Sequence, residues 1–97
     1  MAIYVVVGNF TQKGMQTIKE RSKQLKEFQE IIEPWGVKVK ALYYTMGRFD
    51  IVGIVEAPSD DVMTKCLLQI GRREFVRTET LKAILPDELA EITKGLP

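Results

Sequence analysis

Residues 37–55 read VKVKALYYTMGRFDIVGIV, two β-rich runs either side of Thr45-Met46-Gly47. From Val37 to Tyr44 the residues Val37, Val39, Ala41 and Tyr43 alternate with Lys38, Lys40, Leu42 and Tyr44, and Phe49 to Val55 forms the second run. A period of two interrupted by a glycine predicts a β-hairpin. A type I turn over Thr45 and Met46, with Gly47 in the left-handed bulge position, spares Met46 a positive φ. In that register Tyr43 faces Phe49 and Ala41 faces Ile51 on one side, while Leu42 faces Asp50 and Lys40 faces Val52 on the other. A one-residue slip exchanges the side that carries Asp50.

The segments before and after the hairpin complete the pattern. Ile3 to Val7 is an apolar, largely β-branched run bounded by Gly8-Asn9, which suits a strand buried on both faces. Thr11 then reads as a helix N-cap, and Met15, Ile18, Leu25, Phe28 and Ile32 follow as one stripe at helical spacing. Ser22 falls in the gap of that stripe, where a second helix could start, but one helical region ending before Pro34-Trp35-Gly36 is the simpler expectation. Pro58-Ser59-Asp60-Asp61 places acids at the positive end of a second helix, with Val62, Cys66 and Ile70 as its buried stripe and Gly71 at its end. Phe75 to Leu85 is a fourth strand, and Pro86 to Gly95 a brief C-terminal helix with Leu89 and Ile92 as its apolar face.

Strand, helix, strand, strand, helix, strand is the split βαβ order of ferredoxin-like α+β folds. Right-handed crossovers put both helices on one face of a four-stranded antiparallel sheet. At 97 residues the chain has room for one domain, residues 1–97, with a βαββαβ core over 1–85 and the short helix in 86–97. If Val37, Val39, Ala41, Tyr43, Phe49, Ile51 and Val55 lie under the helices, then Leu42, Tyr44, Val52 and Ile54 remain on the bare face, with alternate residues of the first strand. Such a patch exceeds what monomers usually expose, so sheet-to-sheet pairing with a second copy is expected. The competing expectation is that the C-terminal helix folds back over that face.

Composition narrows the function classes. Fourteen Lys and Arg against thirteen Asp and Glu give a net charge of +1, without the basic excess of a nucleic-acid or anionic-membrane binder. Ile3-Tyr4-Val5 resembles the first strand of the RNA-binding version of this element order, but Phe49 to Val55 lacks the two stacking aromatics and basic start which that version needs. The apolar runs are too short to span a bilayer, and the N-terminus has no secretory pattern. One cysteine, Cys66, precludes an internal disulfide and fits a cytoplasmic location; in its helical stripe it reads as a small hydrophobe. The chain contains no histidine, which removes the usual imidazole base and the commonest ligand of zinc and haem iron, so neither a metal nor a cofactor is expected.

Four segments in order, Thr11-Gln12-Lys13-Gly14, Thr45-Met46-Gly47-Arg48-Phe49-Asp50, Val55-Glu56-Ala57-Pro58 and Val76-Arg77-Thr78-Glu79-Thr80-Leu81, resemble the GYD domain family. The likeness runs from about Ile3 to Leu85, with Thr11, Gly14, Gly47, Phe49 and Pro58 as its structural motif residues. Phe49 stands where the name-giving Tyr is usual, so a role needing that phenol is not available here. The resemblance implies a dimeric α+β barrel, a group that includes cofactor-independent monooxygenases and isomerases beside members without assigned chemistry.

The candidate site residues are few. Asp50, at the mouth of the hairpin, would be a general base if its neighbours desolvate it, or would pair with Lys40 or Arg48. Arg77 and Glu79 share one side of the fourth strand, where Arg77 could clamp a carboxylate or pair with Glu79. Tyr43 and Tyr44 complete the set expected near a pocket between sheet and helices. Three functions follow: a homodimeric module holding a small apolar or carboxylated molecule; a cofactor-independent enzyme in which Asp50 removes a proton and Arg77 steadies the oxyanion; and an oligomeric interaction module.

Overall fold

The first strand, β1 (Ala2–Phe10), lies in the interior of the sheet, as its apolar run requires. A computed structural model describes all 97 residues. After β1 come α1 (Gln12–Gln16), α2 (Arg21–Ile32), β2 (Lys38–Tyr44), β3 (Ile51–Ala57), α3 (Asp60–Arg73), β4 (Val76–Ala83) and α4 (Pro86–Thr93). The sheet order is β2-β3-β1-β4, every neighbouring pair is antiparallel, and the fold is α+β ferredoxin-like.

The core lies between one face of the sheet and α2 and α3. Tyr4, Val6, Val55 and Ala57 from the strands meet Ile32, Val37, Met63 and Cys66, all nearly inaccessible, with Phe28, Val39, Val62 and Ile70 packed around them. Thr11 caps α1 as expected, its hydroxyl accepting from the Gly14 N–H at 3.0 Å. Ser59 caps α3 in the same way through the Val62 N–H.

Three expectations about the helices are corrected. The first helical region is two helices, with Thr17 and a 3-10 turn at Ile18–Glu20 between them, so Met15 and Ile18 leave the common stripe and are exposed. The second helix starts at Arg21, without a side-chain cap and not on Ser22. The third runs through Gly71 to Arg73 and stops at Glu74, whose φ of 64° makes the left-handed C-cap; Arg72 and Arg73 sit favourably at its negative end.

The hairpin also differs from the reading above. β3 starts at Ile51, and Phe49 and Asp50 belong to a loop closed by the Thr45 N–H donating to the Asp50 carbonyl at 2.8 Å. Gly47 does take a positive φ, 107°. Tyr44 pairs with Ile51, Tyr43 with Val52, Leu42 with Gly53 and Ala41 with Ile54, but Val39 pairs with Val55, so Lys40 is an extra residue, a β-bulge. The bulge lets Val39 share the helix side with Leu42 and Tyr44, and sends Ala41 and Tyr43 to the open side.

The open face carries Ile3, Val5 and Val7 from β1, Val52 and Ile54 from β3, Ala41 and Tyr43 from β2, and Arg77, Glu79 and Leu81 from β4. α4 does not cover it. Every residue from Ile84 to Pro97 is exposed, Leu89 by 52% and Ile92 by 62%. The molecule measures 53 × 33 × 18 Å, with a radius of gyration of 15.1 Å, against about 12.5 Å for a compact chain of this length. α4 is therefore an arm extending from the sheet and two-helix body.

Candidate functional site

Leu25, Phe28 and Ile32 of α2 and Met63, Cys66 and Ile70 of α3 do not fully close on the sheet. A cavity of about 120 Å³ remains above Leu42, Gly53 and Val55, and 14 of its 19 lining residues are hydrophobic. Gly53 contributes to that space, because it puts no side chain on the helix side of β3.

The polar groups gather where β1 and β2 end and β4 begins. Arg21 is only 9% exposed, although it opens α2, where the helix dipole disfavours a cation. Its Nη2 donates to the Gly14 carbonyl at 3.0 Å. Its guanidinium carbon lies 4.6 Å from the Phe10 ring centre and 5.6 Å from that of Phe75. Nε has no partner, and no carboxylate pairs with the group. Burial, countered in part by Tyr44 and reinforced by the like charge of Arg73, lowers the Arg21 pKa, yet an arginine stays charged at neutral pH.

Gln24, one turn along α2, is 8% exposed; its Nε2 donates to Thr17 Oγ1 at 2.9 Å and its Oε1 has no donor. Arg73, from α3, donates to the Gln24 carbonyl at 3.0 Å and reaches Glu27 at 3.4 Å. Cys66, also on the cavity wall, is 1% exposed, and burial pushes its thiol up to about 11, so it is held neutral. No group of three or more His, Cys, Asp or Glu side chains is placed to hold a metal ion.

The residues singled out from the sequence do not form one constellation. Tyr44 is on the cavity wall. Tyr43, Arg77 and Glu79 are on the opposite, open face, with Tyr43 64% exposed and Arg77 and Glu79 in no ion pair. Asp50 is outside the cavity lining. Its Oδ2 accepts the Phe10 N–H at 2.9 Å, and its own N–H donates to the Gly8 carbonyl at 2.9 Å. The pairing of Asp50 with Lys40 or Arg48 is replaced by this backbone contact, and Lys40 lies 4.0 Å from Glu56 instead. Arg21 and Gln24 were not among the sequence candidates, although both have a signal: each sits three or four residues from a stripe member, Arg21 from Ile18 and Leu25, Gln24 from Phe28.

These features define a ferredoxin-like α+β protein with an apolar, basic-ended cavity beneath its helices and an uncovered apolar sheet face. The GYD domain model matches residues 4–93, and the chain belongs to the GYD domain family. A protein of Thermus thermophilus named glutamine synthetase and cystathionine beta-lyase binding protein is 33% identical over 85 residues, 87% of this chain and 90% of that protein. Among solved structures, TTHA0845, also from Thermus thermophilus, matches 88% of this chain and 95% of its own at a TM-score of 0.56 and 23% identity. MtbAldR reaches a TM-score of 0.66 at 14% identity over 87% of this chain, which spans 52% of that longer one. Both structural likenesses speak for the fold. No helix of the structure is long and apolar enough to cross a membrane.

Proposed function

We propose that the chain is a protein-binding module that pairs with itself through the open sheet face and docks onto an enzyme. The observation that carries this reading is the apolar surface left uncovered: the face around Val5, Ile54 and Leu81, and the exposed Leu85, Leu89, Ile92 and Leu96 of the C-terminal arm. A side-by-side set of four strands of this length presents on the order of 500 Å². That is less than the roughly 800 Å² per partner of a stable interface. The arm supplies the remainder, so face and arm together make a self-pairing surface of ordinary size.

Charge placement supports a two-fold contact. Arg77 and Glu79 lie two residues apart on the open face and have no ion partner within the chain. An isologous pairing can set Arg77 of one copy against Glu79 of the other, satisfying both at once. The enzyme-docking half of the reading is supported by the relative that is named for binding glutamine synthetase and cystathionine beta-lyase. A reducing, cytoplasmic setting accords with the buried free thiol of Cys66.

Native mass spectrometry and light scattering test the first half: a dimer is expected at micromolar concentration, and a monomer at high concentration overturns it. Biolayer interferometry against purified glutamine synthetase and cystathionine beta-lyase from the same source tests the second. Saturable binding to either is expected; no binding to both removes the docking claim.

A further inference from the structure

The cavity beneath the helices is independent of that docking surface. Three facts about Arg21 stand together: it is nine-tenths buried, it opens a helix at the end that disfavours cations, and no acid faces it. Arg73, a second cation, comes close enough to disfavour its charge further, and Arg73 has only the half-exposed Glu27 opposite it. Buried charges in folded proteins are ordinarily paired, and an arginine does not escape by losing its proton. Beside it the Gln24 Oε1 is a buried acceptor without a donor. Apart from Thr78 and Gly53, the rest of the wall is apolar, including Phe28, Leu42, Met63 and Ile70.

From this arrangement we infer that the cavity is a binding site for a small hydrophobic carboxylic acid, its carboxylate on the free Nε–H of Arg21 and its apolar part over Gly53. The volume fits: at about 120 Å³ it is somewhat smaller than the roughly 150 Å³ apolar cavity that holds benzene. A single ring or a branched chain of about five carbons fills it, whereas phosphate or sulfate brings no apolar part to do so. A carboxylate supplies the missing counter-charge through a charge-assisted hydrogen bond to Arg21.

The probes are benzoate and 4-methylpentanoate, with benzamide as the uncharged counterpart of the first and sulfate as the anion without a tail. The full chain is titrated with each by calorimetry, thermal shift and ¹⁵N–¹H spectra that follow the Arg21 Nε–H. Both carboxylates are expected to bind at millimolar concentration or tighter, raise Tm, move the Arg21 Nε–H signal and give ligand contacts to the Met63 methyl. Benzamide and sulfate should bind at least about tenfold more weakly. Arg21→Met should weaken benzoate by at least tenfold while leaving dimerisation untouched.

Because Arg21→Met also changes a buried contact, Gly53→Val provides a second variant. A Cβ at Gly53 lies 3.4 Å from Leu42 Cδ1, an ordinary contact, so the side chain enters the cavity with Arg21 intact. Gly53→Val should abolish the benzoate shift and raise the ligand-free Tm. Equal binding of benzamide and benzoate, equal binding of sulfate, or full affinity in either variant overturns the assignment.

Discussion

Tyr4, in the middle of the core face of β1, donates its hydroxyl to the Asp60 carboxylate at the first turn of α3, and Lys82 of β4 closes on the same carboxylate at 3.0 Å. A central strand, a helix start and an edge strand are thereby tied at one point. Desolvation first, then the hydrogen bond to Asp60 and its charge, push the Tyr4 hydroxyl up to about 12. The Tyr4 and Lys82 hydrogen bonds lower the Asp60 pKa.

The sign of the resulting pH dependence follows from linkage. A folded tyrosine with pKa raised to about 12 holds its proton where the unfolded one, at about 10, has lost it. Its contribution is complete below pH 10 and disappears between about pH 10 and 12. Asp60 works in the opposite direction: its contribution is complete above the unfolded carboxyl value of about 3.9 and is lost as pH falls through the lower folded value. Tyr4→Phe should cost about 1 kcal/mol at pH 7 and flatten the alkaline limb. Urea midpoints from pH 7 to 12 check this, and an unchanged alkaline limb in the variant refutes the link.

Gly14 of α1 packs directly on the backbone of Phe75, the residue before β4. A Cβ there would stand 2.1 Å from the Phe75 carbonyl oxygen, and that carbonyl is held in place by the Thr11 N–H at 3.1 Å. Alanine gains about 1 kcal/mol of helix propensity over glycine, but overpacking of this kind costs about 2–3 kcal/mol. The clash wins, so Gly14→Ala should lower the urea midpoint. A neutral or stabilised variant would show that the α1 turn moves freely.

Asp50 holds the end of β1 through the Phe10 N–H. Asp50→Ala removes that acceptor and should cost about 1.5 kcal/mol, the lower range for a hydrogen bond to a charged group. Asp50→Asn keeps an oxygen in place and should lose less than half as much. Amide exchange at Phe10 reports the contact directly, and equal protection in wild type and Asp50→Ala would discount it.

The order of elements was readable because each run carries one period: β-branched in Ile3 to Val7, alternating in Val37 to Tyr44, helical in Val62 to Ile70. The faces of the hairpin were not, since a bulge at Lys40 leaves no mark in an alternating sequence and yet reverses every side chain after it. Arg21 was hidden for a related reason. It occupies a stripe position where an exposed arginine would look the same, and only the packing of Phe10 and Phe75 around it separates the two cases. Tyr43 and Tyr44 illustrate the consequence: adjacent in the chain, they serve the open face and the cavity respectively.

The arm is the place to test self-pairing without disturbing the fold, because residues 84–97 are all exposed and the core elements end with β4. Burying a leucine or isoleucine side chain contributes about 1.5–3 kcal/mol. In a two-fold dimer each substitution acts twice, so Leu89→Glu should weaken pairing by about 3 kcal/mol or more, over a hundredfold in Kd. Leu81→Lys, on the sheet face and 53% exposed, should do the same. Sedimentation of the variants should give monomers at concentrations where the parent is expected to pair, with circular dichroism and the low-concentration urea midpoint unchanged. If Leu81→Lys dissociates the pair and Leu89→Glu does not, the sheets alone form the contact and the arm is left free for the proposed docking. If neither does, self-pairing through this surface is wrong.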